Sequence, residues 1–155
     1  MKTIYFILTM FLLLLIEVKA EITWNPANGP YGGIINSMLD NGRNTLFAAS
    51  SDGLYKSDDN GNSWSLVPSV SGDIRALAIG SDGGMWAASM GDMYYSDDFG
   101  STWITANGNL GRGNYKAACV NADNEIFTMT HFSHEYNKIH YSTDTGDTWL
   151  RIEFP

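Results

Sequence analysis

The octet Ser57-Asp58-Asp59-Asn60-Gly61-Asn62-Ser63-Trp64 constrains this chain more than any other stretch, because the sequence writes it three times. It returns as Ser96–Trp103 and as Ser142–Trp149, always in the pattern Ser-x-Asp-x-Gly-x-Ser/Thr-Trp. The leading serines stand 39 and 46 residues apart. A period of about 40–50 residues is the length of one four-stranded unit that buries its apolar faces only by stacking on its neighbours.

Each residue type in the octet has a physical task. The aspartate carboxylate accepts hydrogen bonds from backbone N–H groups further round a tight turn, and the glycine takes a positive φ that other residues resist. The serine and threonine hydroxyls make local bonds of the same kind. The closing tryptophan opens the next strand with the large apolar area a small sheet needs for packing. An EF-hand calcium loop does not fit: with Gly61 at loop position 6, Lys56 falls at position 1 and Val67 at position 12, where oxygen ligands are required. The octets resemble Asp-box (BNR) repeats, which occur in β-propellers such as sialidases, sortilin-type receptors, xyloglucan-active glycosidases and a photosystem II assembly factor. The resemblance implies a structural role for Ser57, Asp59, Gly61 and Trp64, for Ser96, Asp98, Gly100 and Trp103, and for Ser142, Asp144, Gly146 and Trp149. It also implies that these turns lie at the blade periphery, away from the ligand face.

The segments before the octets align as well. Residues 34–50 match 73–89 without a gap, and 114–130 match both. Each unit reads as a first strand (Ile35–Leu39, Ile74–Ala78, Tyr115–Cys119), a polar turn and a second strand (Leu46–Ala49, Met85–Ala88, Ile126–Met129). A third strand precedes each octet and a fourth begins at its tryptophan. The first two strands are near-continuous apolar runs, as expected where both faces of a sheet are covered. No stretch carries a helical period. The expected class is all-β: a partial β-propeller of about three four-stranded antiparallel blades, near 33–68, 73–107 and 114–154, plus one extra N-terminal strand at 21–26. In that strand Thr23-Trp24 with Asn28-Gly29 lines up with Thr102-Trp103 and Asn107-Gly108, making it a fourth strand without its first three.

Residues 1–20 are read apart from the domain at 21–155. Lys2, the apolar run Ile4–Ile16 and the small residues Val18 and Ala20 predict a signal peptide cleaved near Ala20, hence a secreted or periplasmic protein without a membrane anchor. The single cysteine, Cys119, has no disulfide partner and reads as a small buried hydrophobe. Seventeen Asp and Glu against nine Lys and Arg argue against nucleic acid or an anionic membrane surface as partner.

Closed propellers use four to eight blades, more than this chain encodes. Three explanations stand: the N-terminal piece of a longer propeller, several copies assembling one ring, or an open arc. Truncation is the favoured origin, with self-association of the product through its open blade faces. Against a shared ring built by lending the 21–26 strand, a copy ending in a complete blade cannot supply the three strands which that segment lacks.

Binding residues are sought on loops opposite the octets and along the first strands. Aligned Asn36, Arg75 and Lys116 would line a channel, and Arg75, Arg112, Tyr115 and Lys116 are candidates for an anionic or polyhydroxy ligand. Alternatively Arg75 and Lys116 pair with Asp73 or other local acids. The third unit carries five extra residues in His131–Lys138, read as a polar, aromatic contact loop with His131, His134 and Tyr136 as candidate contacts. Its order, His-x-x-His-Glu, matches neither His-Glu-x-x-His nor its inverse, so no metal site or cofactor is expected. No Arg-Ile-Pro motif or arginine triad of the sialidase kind is present, and Asp52, Asp73 and Glu135 form no recognisable pair of facing carboxylates. The sequence therefore predicts an exported, non-catalytic repeat protein that binds glycan or protein through its loops. The alternatives are an N-terminal portion of a secreted glycoside hydrolase and an assembly or scaffold module.

Overall fold

The structure, a computed structural model, describes residues 29–30, 33–132 and 135–153. The segments read as a signal peptide and as an extra N-terminal strand lie outside the described residues. Three antiparallel meanders follow one another. The first is β1 (Ile35–Asp40), β2 (Leu46–Ser50), β3 (Gly53–Ser57) and β4 (Ser65–Leu66). The second is β5 (Ile74–Ile79), β6 (Met85–Gly91), β7 (Met93–Ser96) and β8 (Ile104–Thr105). The third is β9 (Gly113–Val120), β10 (Ile126–Phe132), β11 (Glu135–Ser142) and β12 (Leu150–Ile152), after one 3-10 turn at Gly108–Leu110. Each fourth strand starts one residue after its tryptophan. A short ladder, Met90 to Asn114 and Gly91 to Gly113, joins the second sheet to the third.

The first strands β1, β5 and β9 touch in series, whereas the main contacts of β4, β8 and β12 are with the third strands of their own sheets. The sheets thus converge at their first strands and splay outward, as blades around an axis do. Two cores fill the spaces between blades. Phe47, Ala49 and Leu54 of the first blade meet Ile74, Leu77, Met85, Tyr94 and Trp103 of the second. Ala78, Trp86, Ala88 and Met93 of the second meet Tyr115, Ile126 and Trp149 of the third. Alternation along β6 explains the division: Met85 and Ala87 face backward, Trp86 and Ala88 forward.

The octet turns close on their own side chains. In the first, Ser57 Oγ donates to Asp59 Oδ1 (2.8 Å) and accepts from the Gly61 N–H (2.8 Å). Asp59 also accepts from the Ser63 N–H (2.8 Å) and Ser63 Oγ (2.6 Å). The same net ties Ser96, Asp98, Gly100 and Thr102, and again Ser142, Asp144, Gly146 and Thr148. Each indole N–H donates to its octet's glycine carbonyl, at 3.2, 3.0 and 3.1 Å, which fixes the ring against the turn. The bonds from Ser63, from the Thr102 backbone and from Thr148 hold the three carboxyls below the usual aspartate range. Gly61, Gly100 and Gly146 have φ near +87°, and the residue before each, Asn60, Phe99 or Thr145, also sits in the left-handed region.

Two sequence expectations need correction. Cys119 is exposed rather than buried, because it points to the outer face of the third blade, which no described residue covers. The first blade differs for the same reason: Ile35 and Met38 on its outer face are 40% and 59% exposed. Residues 131–132 and 135–138, expected in a loop, instead extend β10 and β11, with Phe132 registered on Glu135.

Thr145 is β-branched yet has φ 56°, a conformation costing an ordinary residue about 1–2 kcal/mol and tolerated by asparagine. Thr145→Asn is expected to stabilise by about 1 kcal/mol, read as a rise in Tm. The depressed octet carboxyls contribute stability that is complete above the unfolded carboxylate pKa of about 3.9 and is lost as pH falls through their lower folded values. Thermal melts are expected to drop steeply below about pH 4, and less steeply in Asp98→Asn, which carries one such carboxyl fewer.

Candidate functional site

The candidate site is the rim formed by the first strands and the turns opposite the octets. Neighbouring first strands bring Asn36, Asp73, Arg75, Asn114 and Lys116 into one region. Asn36 reaches from β1 to the next blade, its Nδ2 donating to Ile74 O (2.7 Å) and Asp73 Oδ1 (3.2 Å). Arg75, one repeat later, turns back and pairs with Asp73 just ahead of its own strand. The guanidinium is half-exposed, but its Nε is buried without a hydrogen-bond partner, as is Asn114 Oδ1 near the start of β9. Lys116 is exposed and forms no ion pair among the described residues. Of the two local-pairing expectations, Arg75 therefore meets Asp73 while Lys116 does not.

Arg112 lies on the connection into β9, 79% exposed, and pairs with Asp92 at 3.2 Å. Asp92 also accepts from Asn107 Nδ2 (2.7 Å), whose Oδ1 in turn accepts from the Met93 N–H (2.7 Å). This net anchors the turn between β6 and β7 and aims the guanidinium outward. Tyr115 is placed differently from its neighbours. Its ring is buried in the core between the second and third blades, and its hydroxyl donates to the Gly111 carbonyl. Burial, with Asp92 adding to it, pushes that phenol up to about 12. Tyr115 thus holds the 111–115 turn, and Arg112 within it, in position.

His131 is half-buried on β10, directly after Thr130, which registers on Tyr115 of β9, so its backbone runs beside the start of that rim strand. Tyr136 belongs to β11, and its side chain, like His134, lies outside the described residues. No group of three or more His, Cys, Asp or Glu suited to a metal occurs among the described residues. Sequence reasoning missed His140, buried between Thr130 and the core, where desolvation, then Arg151 and Lys138, lowers its pKa. Its alignment with Tyr94, a residue that packs on the preceding blade, was the available signal.

The rim offers hydrogen-bond donors and fixed positive charge. Asp73 and Asp92 are each engaged by an arginine. The carboxyls whose titration the fold clearly perturbs, Asp58, Asp59, Asp98 and Asp144, all move downward, away from the protonated form that a general acid requires. An open groove of about 170 Å³ lies on the octet side, between the Asn41–Thr45 turn and the second octet. Arg43 stands over the Phe99 ring there, 3.4 Å from its centroid.

No protein-family model and no curated protein matches the chain. Solved structures do. YCF48 bound to a D1 peptide superposes with a TM-score of 0.64 at 18% identity, covering 84% of this chain and 45% of that one. An ancestral GH74 enzyme gives 0.62 at 19% identity, over 78% of this chain and 18% of its own. An extracellular domain from B. thetaiotaomicron gives 0.62 at 14% identity, over 78% and 16%. The described sheets are β-propeller blades. At these identities the likeness fixes the fold alone, and the chain spans less than half of each of these structures. No helix of the described residues is long and apolar enough to cross a membrane.

Arg112→Ala and Lys116→Ala remove exposed side chains and are expected to leave stability unchanged within about 0.5 kcal/mol. Tyr115→Phe strips a buried hydroxyl from its carbonyl and is expected to cost about 1 kcal/mol. Urea unfolding of the three variants separates the two classes.

Proposed function

We propose that this chain is an exported, non-catalytic Asp-box repeat protein whose propeller rim binds an extended polypeptide segment bearing carboxylates. The observation that carries the reading is the pair of buried, unpartnered polar atoms, Arg75 Nε and Asn114 Oδ1, beside the uncompensated Lys116. Leaving a donor and an acceptor buried and unmade costs about 1–3 kcal/mol each, and a ligand toward which the two side chains turn outward recovers that cost. A polypeptide offers both partners, a carbonyl for Nε and an N–H for Oδ1, and its acidic side chains suit Lys116 and Arg112. YCF48 carries a peptide on the same scaffold type, which supports the choice over a glycan. Export rests on residues 1–20 and agrees with the extracellular neighbour.

A second reading, part of a secreted glycoside hydrolase, is favoured by the GH74 neighbour. The downward-shifted carboxyls and the engaged Asp73 and Asp92 weigh against it. A peptide array read at low and high salt tests the proposal. Acidic peptides are expected to bind, with affinity falling at least several-fold in Lys116→Ala and Arg112→Ala, whose folds are expected to persist. Equal binding by both variants, or release of a chromogenic sugar by the purified protein, overturns it.

A further inference from the structure

The two blade-to-blade interfaces of this chain are built to one rule. The forward face of a blade presents an aromatic from its second strand, and the backward face of the next blade brings its octet glycine and tryptophan onto it. Phe47 takes Trp103 edge-on at 6.1 Å, and a Cβ on Gly100 would lie 2.3 Å from the Phe47 ring. Trp86 takes Trp149 edge-on at 6.0 Å, and a Cβ on Gly146 would lie 2.6 Å from the Ala106 carbonyl of the preceding blade.

Both unmatched halves of that interface are present on the described chain. The third blade carries a complete forward face: Phe127, Met129 and Ile139 occupy the positions of Trp86, Ala88 and Met93, and Cys119 that of Ala78. The second-blade residues are at most 8% exposed, whereas all four third-blade counterparts are accessible. The first blade carries the backward face: Ile35, Met38, Leu46, Tyr55 and Trp64 align with the buried Ile74, Leu77, Met85, Tyr94 and Trp103. All five are accessible. A Cβ on Gly61 would touch only Leu46 and Trp64 of its own blade, at 3.8 and 3.9 Å, with no ring from another described blade over it as at Gly100.

A polar contact repeats the pattern. Between the first and second blades, Asn41 Oδ1 caps its own turn while Nδ2 donates to the Phe99 carbonyl at 2.9 Å. The third blade keeps this asparagine as Asn121, with the same cap on Asp123 and Glu125 N–H and its Nδ2 donating to Glu125 Oε2 at 2.7 Å, where the second blade has Gly80. The first-blade counterpart of Phe99 is Asn60, in the same left-handed conformation.

The geometry points to head-to-tail association of two copies of this chain, the forward face of the third blade of each seating the backward face of the first blade of the other. Two copies give six blades, within the four to eight of closed propellers. A heterologous contact used twice under a two-fold axis closes instead of growing into a filament. The contact uses whole-blade faces, so it does not depend on strand exchange by residues 21–26, nor on the rim ligand.

Sedimentation velocity with thiol labelling tests this on the purified protein. The unaltered protein is expected to form a closed dimer in which Cys119 reacts about tenfold more slowly than in a monomeric variant. Phe127→Asp and Met38→Asp, both at accessible positions, are each expected to give folded monomers with fast Cys119 labelling. An equimolar mixture of the two is expected to recover dimers, because one copy keeps its backward face and the other its forward face. A monomeric unaltered protein, an open-ended polymer, or a Met38→Asp protein that still dimerises through its third blade overturns the inference. A mixture that stays monomeric does so too.

Discussion

The edge-to-face contact between an octet tryptophan and the second-strand aromatic of the blade before it is what the architecture depends on. A four-stranded sheet of this kind is apolar on both faces and cannot bury them alone. Its stability comes from the neighbour, and Phe47–Trp103 and Trp86–Trp149 are the largest ring contacts across the two seams. Aromatic pairs in this geometry contribute about 0.5–1.5 kcal/mol beyond the area they bury. The turn chemistry serves that contact. Serine, aspartate and a second hydroxyl lock the hairpin, the glycine carbonyl receives the indole N–H, and the ring then has one orientation toward the preceding blade. Trp149 adds a bond from its indole N–H to the Ala106 carbonyl, which ties the seam directly.

The fold was legible because its devices are local and repeated. The octet specifies a turn by its own hydrogen bonds, and the gap-free match of 34–50 to 73–89, 39 residues on, places two strands before each turn. Cys119 was misjudged because burial in a repeat array is a property of the neighbour, not of the residue. Its counterparts Leu39 and Ala78 pack on a following blade, and Cys119 has none among the described residues. The segment at 131–138 was misjudged for another reason. A five-residue insertion in a hairpin either loops out or lengthens both strands, and register decides between these. Thr130 on Lys138 and Phe132 on Glu135 keep the ladder going past a bulge. Sequence alone carries little information about such a bulge.

The candidate rim was legible only in part. Alignment placed Asn36, Arg75 and Lys116 at one position of three successive strands, and the structure puts those strands side by side. Alignment does not say how three different side chains use equivalent positions. The short asparagine bridges forward to the next blade, and the longer arginine folds back onto Asp73. Tyr115 shows the same gap. Its aromatic ring and polar tip suit a contact residue, but at the Ile74 position the backbone sends the ring into the seam and leaves the hydroxyl only the Gly111 carbonyl.

The overall acidity of the chain also misdescribes its rim. Asp59, Asp98 and Asp144 are absorbed by turns, each surrounded by donors that already satisfy it, so their charge lies on the octet side. At the rim Asp73 and Asp92 each have an arginine partner in a part-exposed pair, while Asp52 stands exposed in the turn between β2 and β3. Pairs of that exposure are worth at most about 1 kcal/mol, too little to be what holds the blades together. They do restrict where the two guanidinium groups stand. On the proposed reading, an arriving carboxylate shares a guanidinium with its aspartate rather than displacing it, since Asp73 and Asp92 are only 24% and 16% exposed. The same weakness that makes these pairs poor contributors to stability makes them suitable as pre-positioned donors, and the seams, being apolar and aromatic, are left undisturbed by its arrival.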